Sequence, residues 1–68
     1  MMEITLATTT LTDGSKVYNL VIKNESGQVI NFDLTAQNEN EAMAQAEKFN
    51  DAIAETTNDT VKFSTYEL

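Results

Sequence analysis

Cysteine, histidine, arginine, proline and tryptophan are all absent from the 68 residues of this chain, and glycine occurs only twice. Each absence closes a class of chemistry. Without cysteine there is no disulfide to staple the fold and no thiolate to hold a metal. Without histidine, the commonest zinc ligand, the usual general base and the physiological-pH switch are lost together. Oxygen ligands remain, but no Asp-x-Asp-x-Asp-Gly spacing of a calcium loop occurs. Gly14 and Gly27 lie too far apart to build a glycine-rich phosphate loop. Carboxylates, Lys, Tyr, Ser and Thr are left, and the reading is of a protein that is not an enzyme and takes no cofactor and no metal.

Positive charge is also scarce. Four lysines stand against eleven Asp and Glu, a formal net charge of −7. Nucleic-acid binding draws on a cationic footprint that releases counterions, and this chain carries the opposite field. Direct nucleic-acid binding and adsorption to anionic membranes are therefore excluded as expectations, whereas a basic protein partner would be steered towards it. No apolar run approaches the ~18 residues of a membrane span. Met1-Met2-Glu3-Ile4-Thr5 lacks the basic and apolar regions of a signal peptide. The sequence thus reads as cytoplasmic.

The length suits a single domain, residues 1–68. A domain of this size buries only ~60% of the surface its unfolded chain exposes. Little room is expected for a pocket of ~300 Å³ or more.

Four period-two segments and one of helical period give an α+β expectation: an antiparallel β-meander, one helix and a C-terminal strand (βββαβ), arranged as a two-layer sandwich. In Val17–Lys23, Tyr18, Leu20 and Ile22 share a face; in Gln28–Thr35, Ile30, Phe32 and Leu34 do. Between them Asn24-Glu25-Ser26-Gly27 reads as a three-residue bulged hairpin loop with Gly27 left-handed. It sets Ile22 opposite Ile30, Leu20 opposite Phe32 and Tyr18 opposite Leu34. For the first hairpin, Asp13-Gly14 alone suggests a two-residue turn, but that register sends Ile4 and Leu6 to the wrong face. A bulged Thr12-Asp13-Gly14 loop sets Ile4 opposite Ile22, Leu6 opposite Leu20 and Glu3 opposite Lys23.

The helix is expected after Thr35-Ala36-Gln37, with Asn38 as its cap and Glu41 completing a capping box. Ala42, Ala46, Phe49 and Ile53, with Met43 beside them, form its inward stripe, and the polar cluster Thr56–Asp59 ends it. All of Tyr18, Leu20, Ile22, Ile30, Phe32 and Leu34 are expected beneath it. Thr60–Leu68 resumes a period of two, and its place is read as parallel beside the first strand, with pairing beside the third strand as the alternative.

Glu47, Asp51 and Glu55 stand out. They fall at successive i+4 steps, where like charges destabilise a helix by about 0.2–0.5 kcal/mol per pair. Asp51 and Glu55 also lie towards the helix C-terminus, where the dipole favours cations. Local rules broken without evident gain are places to look for function. The row forms a regular anionic ladder that a basic groove could read, and it is the candidate partner-binding site.

In size, acidity and the strand–strand–helix order of Val17 to Ile53, the chain resembles in general form the small acidic inhibitors of anti-CRISPR or anti-restriction type that phages encode. The resemblance implies occupation of a nucleic-acid groove on a host enzyme. The functional expectation is a non-catalytic binding module that inhibits or sequesters a basic, nucleic-acid-handling protein. The alternative is an assembly subunit that self-associates through exposed strand edges. A monomer is expected, with a dimer as the competing state.

Overall fold

In the computed structural model, which describes residues 1–57 and 61–67, the chain runs β1 (Met2–Thr10), β2 (Lys16–Lys23), β3 (Val29–Asp33), α1 (Glu39–Thr57) and β4 (Val61–Glu67). This is an α+β fold in which one helix accompanies a four-stranded mixed sheet of order β3-β2-β1-β4. Thr60 and Leu68, at the ends of the expected last strand, lie outside the described residues, as do Asn58 and Asp59 of the expected helix stop.

Both hairpins turn by the same device. In the first, the Leu11 amide donates to the Ser15 carbonyl at 2.8 Å and the Gly14 amide to the Leu11 carbonyl at 3.0 Å. In the second, the Asn24 amide donates to the Gln28 carbonyl and the Gly27 amide to the Asn24 carbonyl, both at 3.1 Å. Each loop closes on a glycine in the left-handed region, Gly14 at φ 89° and Gly27 at φ 90°, where a Cβ would be strained. A polar side chain locks each turn locally. The Asp13 carboxylate accepts from the Ser15 amide at 2.9 Å and its hydroxyl at 2.6 Å. Asn24 Oδ1 likewise accepts from the Gln28 amide and the Ser26 hydroxyl, both at 2.9 Å.

Those turns fix the registers. Ile4 pairs with Ile22, Leu6 with Leu20 and Glu3 with Lys23, as the bulged first loop requires. Leu20 pairs with Phe32 and Ile22 with Ile30, and the Leu34 amide reaches the Tyr18 carbonyl at 2.9 Å. β4 lies parallel beside β1, with Met2 against Val61 and Ile4 against Phe63. Glu3 and Lys23 face each other in register, yet no ion pair of 4 Å or less joins them among the described residues.

The helix starts where its cap dictates. The Glu41 amide donates to Asn38 Oδ1 at 2.9 Å, and Asn38 Nδ2 reaches back to Glu41 Oε2 at 3.5 Å. Glu39 and Glu41 in the first turn complement the positive end of the dipole. At the other end α1 runs through Thr57, past the expected start of the stop signal at Thr56. The Thr56 hydroxyl donates back to the Ala52 carbonyl at 2.7 Å, a bond that lets a polar residue stay helical.

Packing centres on β1 and β2. Ile4, Leu20, Ala42 and Ala46 are fully enclosed, and Leu6, Tyr18 and Ile22 are buried around them. Each fully buried Leu or Ile contributes roughly 1.5–3 kcal/mol. The helix lies over β1, β2 and β4 but not over β3. One expectation fails there. Ile30 has the correct face but is 61% exposed, and Phe49 remains 40% exposed. Phe49 reaches β3 only through its ring, whose centroid lies 5.1 Å from that of Phe32. The physical reason is width. A helix about 10–12 Å across cannot roof four strands set ~4.8 Å apart.

Two predictions follow the unequal burial and the turn chemistry. Leu20→Ala should cost about 2–5 kcal/mol, a large share of what a small domain has, whereas Ile30→Ala should stay within about 0.5 kcal/mol. Urea unfolding of the two variants checks this, and similar losses would contradict the packing. Separately, the hydrogen bonds from the Ser15 hydroxyl and amide hold the Asp13 carboxyl below the ordinary aspartate range. A lowered folded-state value stabilises above the unfolded pKa, and that contribution disappears as pH falls through the folded one. In an NMR titration Ser15→Ala should move Asp13 upwards, towards an ordinary aspartate.

Candidate interaction surface

A helix turns 100° per residue, so burying Ala42 and Ala46 dictates what points outward. Glu47, Asp51 and Glu55 fall on the side of α1 away from the sheet, and all three are exposed. The row therefore stands where its spacing placed it, with steps of about 6 Å along the axis. No basic residue occupies the last turn of α1. Lys48 is the helix's one cation, and among the described residues no ion pair joins it to an acid. Its neighbours Glu47 and Asp51 are thus left to solvent. Across α1, Glu39, Glu41, Glu47, Asp51 and Glu55 outnumber Lys48, so five acids less one lysine leave this element a net −4 of the chain's −7.

The opposite surface, the uncovered face of the sheet, is built differently. Glu3 and Asp33 share it with Lys23 and Lys62, so its charges cancel. Its polar groups also satisfy one another. Asn19 Nδ2 donates to Asn31 Oδ1 at 2.7 Å, and Thr5 and Ser64 hydroxyls lie 3.2 Å apart. Val17 is 46%, Val29 57% and Tyr66 56% exposed among these groups. The face is mixed and wet, as the open side of a sheet covered on one face only should be.

Two recesses went unread in the sequence. One of about 510 Å³ lies at the end of the sheet, lined by Met2, Ile22, Asn24, Gln28, Val29 and Ile30. The other, about 350 Å³, runs along α1 beside Gln45, Lys48, Phe49 and Ala52. The expectation of little room for such spaces is corrected, and at the first recess the cause is the incomplete roof over β3, which leaves Ile30 without a facing element. Their linings offer little for chemistry, since Lys48 is the single titratable side chain in either. Among the described residues no three acidic side chains converge as a metal cage would need.

Asn50 was also passed over. Its Oδ1 is buried and finds no hydrogen-bond partner among the described residues, a situation that costs about 1–3 kcal/mol. The readable signal was an amide placed four residues after Ala46, on the edge of the inward stripe. No helix among the described residues is long and apolar enough to cross a membrane. The arrangement can present charge and a bare strand edge to another macromolecule. No family model matches the chain, and no curated protein or solved structure matches it either.

Proposed function

We propose that the chain is a non-catalytic binding module that captures a basic protein through the exposed face of α1, with Glu47, Asp51 and Glu55 as the contact row. The observation that carries this reading is the unneutralised acidic ladder on α1, set against a sheet face whose charges balance. Like charges at i+4 and acids at a helix C-terminus each weaken a helix. A binding role gives those costs a purpose. The partner best suited is a protein whose lysines and arginines line a groove for nucleic acid. Filling that groove with a protein of net charge −7 would inhibit it, as small phage-encoded or mobile-element inhibitors of anti-CRISPR or anti-restriction type do. The cytoplasm is the compartment this reading proposes.

Self-assembly through strand edges is the second reading, favoured by the exposed Ile30 and Val29 on β3. The two respond differently to salt. Electrostatic capture weakens as the Debye length falls from ~10 Å at 0.1 M towards ~3 Å at 1 M. Apolar edge pairing does not. Sedimentation at several concentrations should show a monomer, and a dimer that persists at high salt would favour assembly.

The acidic row has its own test. Replacing Glu47, Asp51 and Glu55 by Gln, Asn and Gln should keep the fold. It should firm the helix slightly by relieving two like-charge contacts of about 0.2–0.5 kcal/mol each. Binding to a basic partner should weaken markedly and lose much of its salt dependence. A triple variant that binds as tightly as the parent chain would remove the ridge as the contact surface.

A further inference from the structure

β3 is an outer strand, and its hydrogen-bonding parity is fixed by its two ends. The Asn24 amide bonds the Gln28 carbonyl and the Leu34 amide bonds the Tyr18 carbonyl. In an antiparallel ladder bonded pairs alternate, so Ile30 and Phe32 spend their backbone groups on β2. The amides and carbonyls of Val29, Asn31 and Asp33 therefore point outwards, where no strand pairs with them among the described residues. Side chains alternate in step with this. Ile30 and Phe32 face the helix side, where Ile30 lines the first recess and Phe49, in ring contact with Phe32, lines the second, so an apolar seam stays uncovered.

A bare edge and a bare seam are thus coextensive, and a strand laid against β3 would cover both. β4, the other outer strand, lacks this combination. Its exposed second half is Ser64, Thr65, Tyr66 and Glu67, and the recesses do not border it. Nor does β3 carry the lysines with which natural edges are often blunted. Charge completes the picture. β3 carries Asp33 and no cation, and the acids Glu25, Glu39 and Glu41 flank it in the chain against Lys23 and Lys48 at the margins.

We infer that β3 accepts an extended segment of a basic partner as a fifth strand, with apolar side chains on the Ile30–Phe32–Phe49 seam and basic ones beside Asp33. This rests on the basic-partner reading and adds the segment that would be recognised. Main-chain bonds supply affinity in such strand addition, and alternate side chains supply specificity. A second copy of this chain fits the same edge less well, because it brings the same negative charge.

The test uses the intact chain and a synthetic peptide of about eight residues alternating valine and lysine, followed by nitrogen–proton correlation NMR and hydrogen exchange. The amides of Val29, Asn31 and Asp33 should shift and gain protection. Asn31→Pro removes an outward amide without breaking a backbone bond to β2, though it gives up the side-chain bond from Asn19 Nδ2, at a position where edge strands tolerate proline. It should weaken the peptide by about tenfold or more. Ile30→Lys, at an exposed site, should do the same by charge and serves if the proline variant unfolds. The Glu47, Asp51 and Glu55 triple variant should weaken the peptide through the lost negative charge, yet at saturating peptide the same β3 amides should shift.

Shifts confined to α1 and abolished by the triple variant would overturn strand addition while sparing the acidic-ridge reading. Equal binding of a valine–glutamate peptide would overturn the basic class of partner. Absence of peptide binding would overturn the inference, as would self-association that Asn31→Pro abolishes in a chain that ignores the peptide.

Discussion

The closeness with which α1 can settle on β1 and β2 governs the rest of the molecule, and two alanines set it. Ala42 and Ala46 are completely enclosed, and beneath them Ile4 and Leu20 are too. A larger side chain at either position would lift the helix and open the centre. The position of the helix has a lateral effect. The helix comes down over β1 with β2 and β4 on either side, and a helix seated there does not reach β3. The exposed Ile30, the half-covered Phe32 and the tilted ring of Phe49 are the margin of that seating.

What the sequence made legible is what local chemistry determines. Gly14 and Gly27 need positive φ, the apolar alternation needs one face, and together they leave a single register for each hairpin. The Asn38 cap was readable for a related reason, a side-chain acceptor ahead of an apolar stripe, whereas a crossover strand suits either edge of the meander and the side of β4 is settled by the pairing with β1. Coverage was not readable. Alternation says to which side Ile30 points and nothing about whether anything lies above it. That depends on the width of a helix against the width of a sheet, a comparison no single segment contains. The acidic row on α1 was legible as geometry, because spacing alone puts Glu47, Asp51 and Glu55 on one side. The recesses and the orphaned Asn50 oxygen arise from tertiary fit and leave no comparable trace.

The charges are sorted by surface. Lys23 and Lys62 go to the unroofed sheet face beside Glu3 and Asp33, and the helix keeps one lysine among five acids. A small domain could stay soluble with charges of both signs scattered over it. Here the polar side of α1 is close to a single-sign surface, while the face behind it is near neutral. Such a molecule has a directional field, and an approaching cationic surface is oriented by it before contact.

The pairing of β1 with β4 has a temporal consequence. Met2 sits beside Val61 and Thr8 beside Glu67, so β1, an inner strand of the sheet, gains its second neighbour from the far end of the chain. Two hairpins can form from nearby residues, but this closure must wait until the helix has brought distant segments together. Loop-closure entropy is spent before any of those contacts return it. During that wait β1 itself is a sheet edge, carrying Ile4 and Leu6 without a roof. The interval before β4 arrives is when the chain is most prone to pair with a stranger.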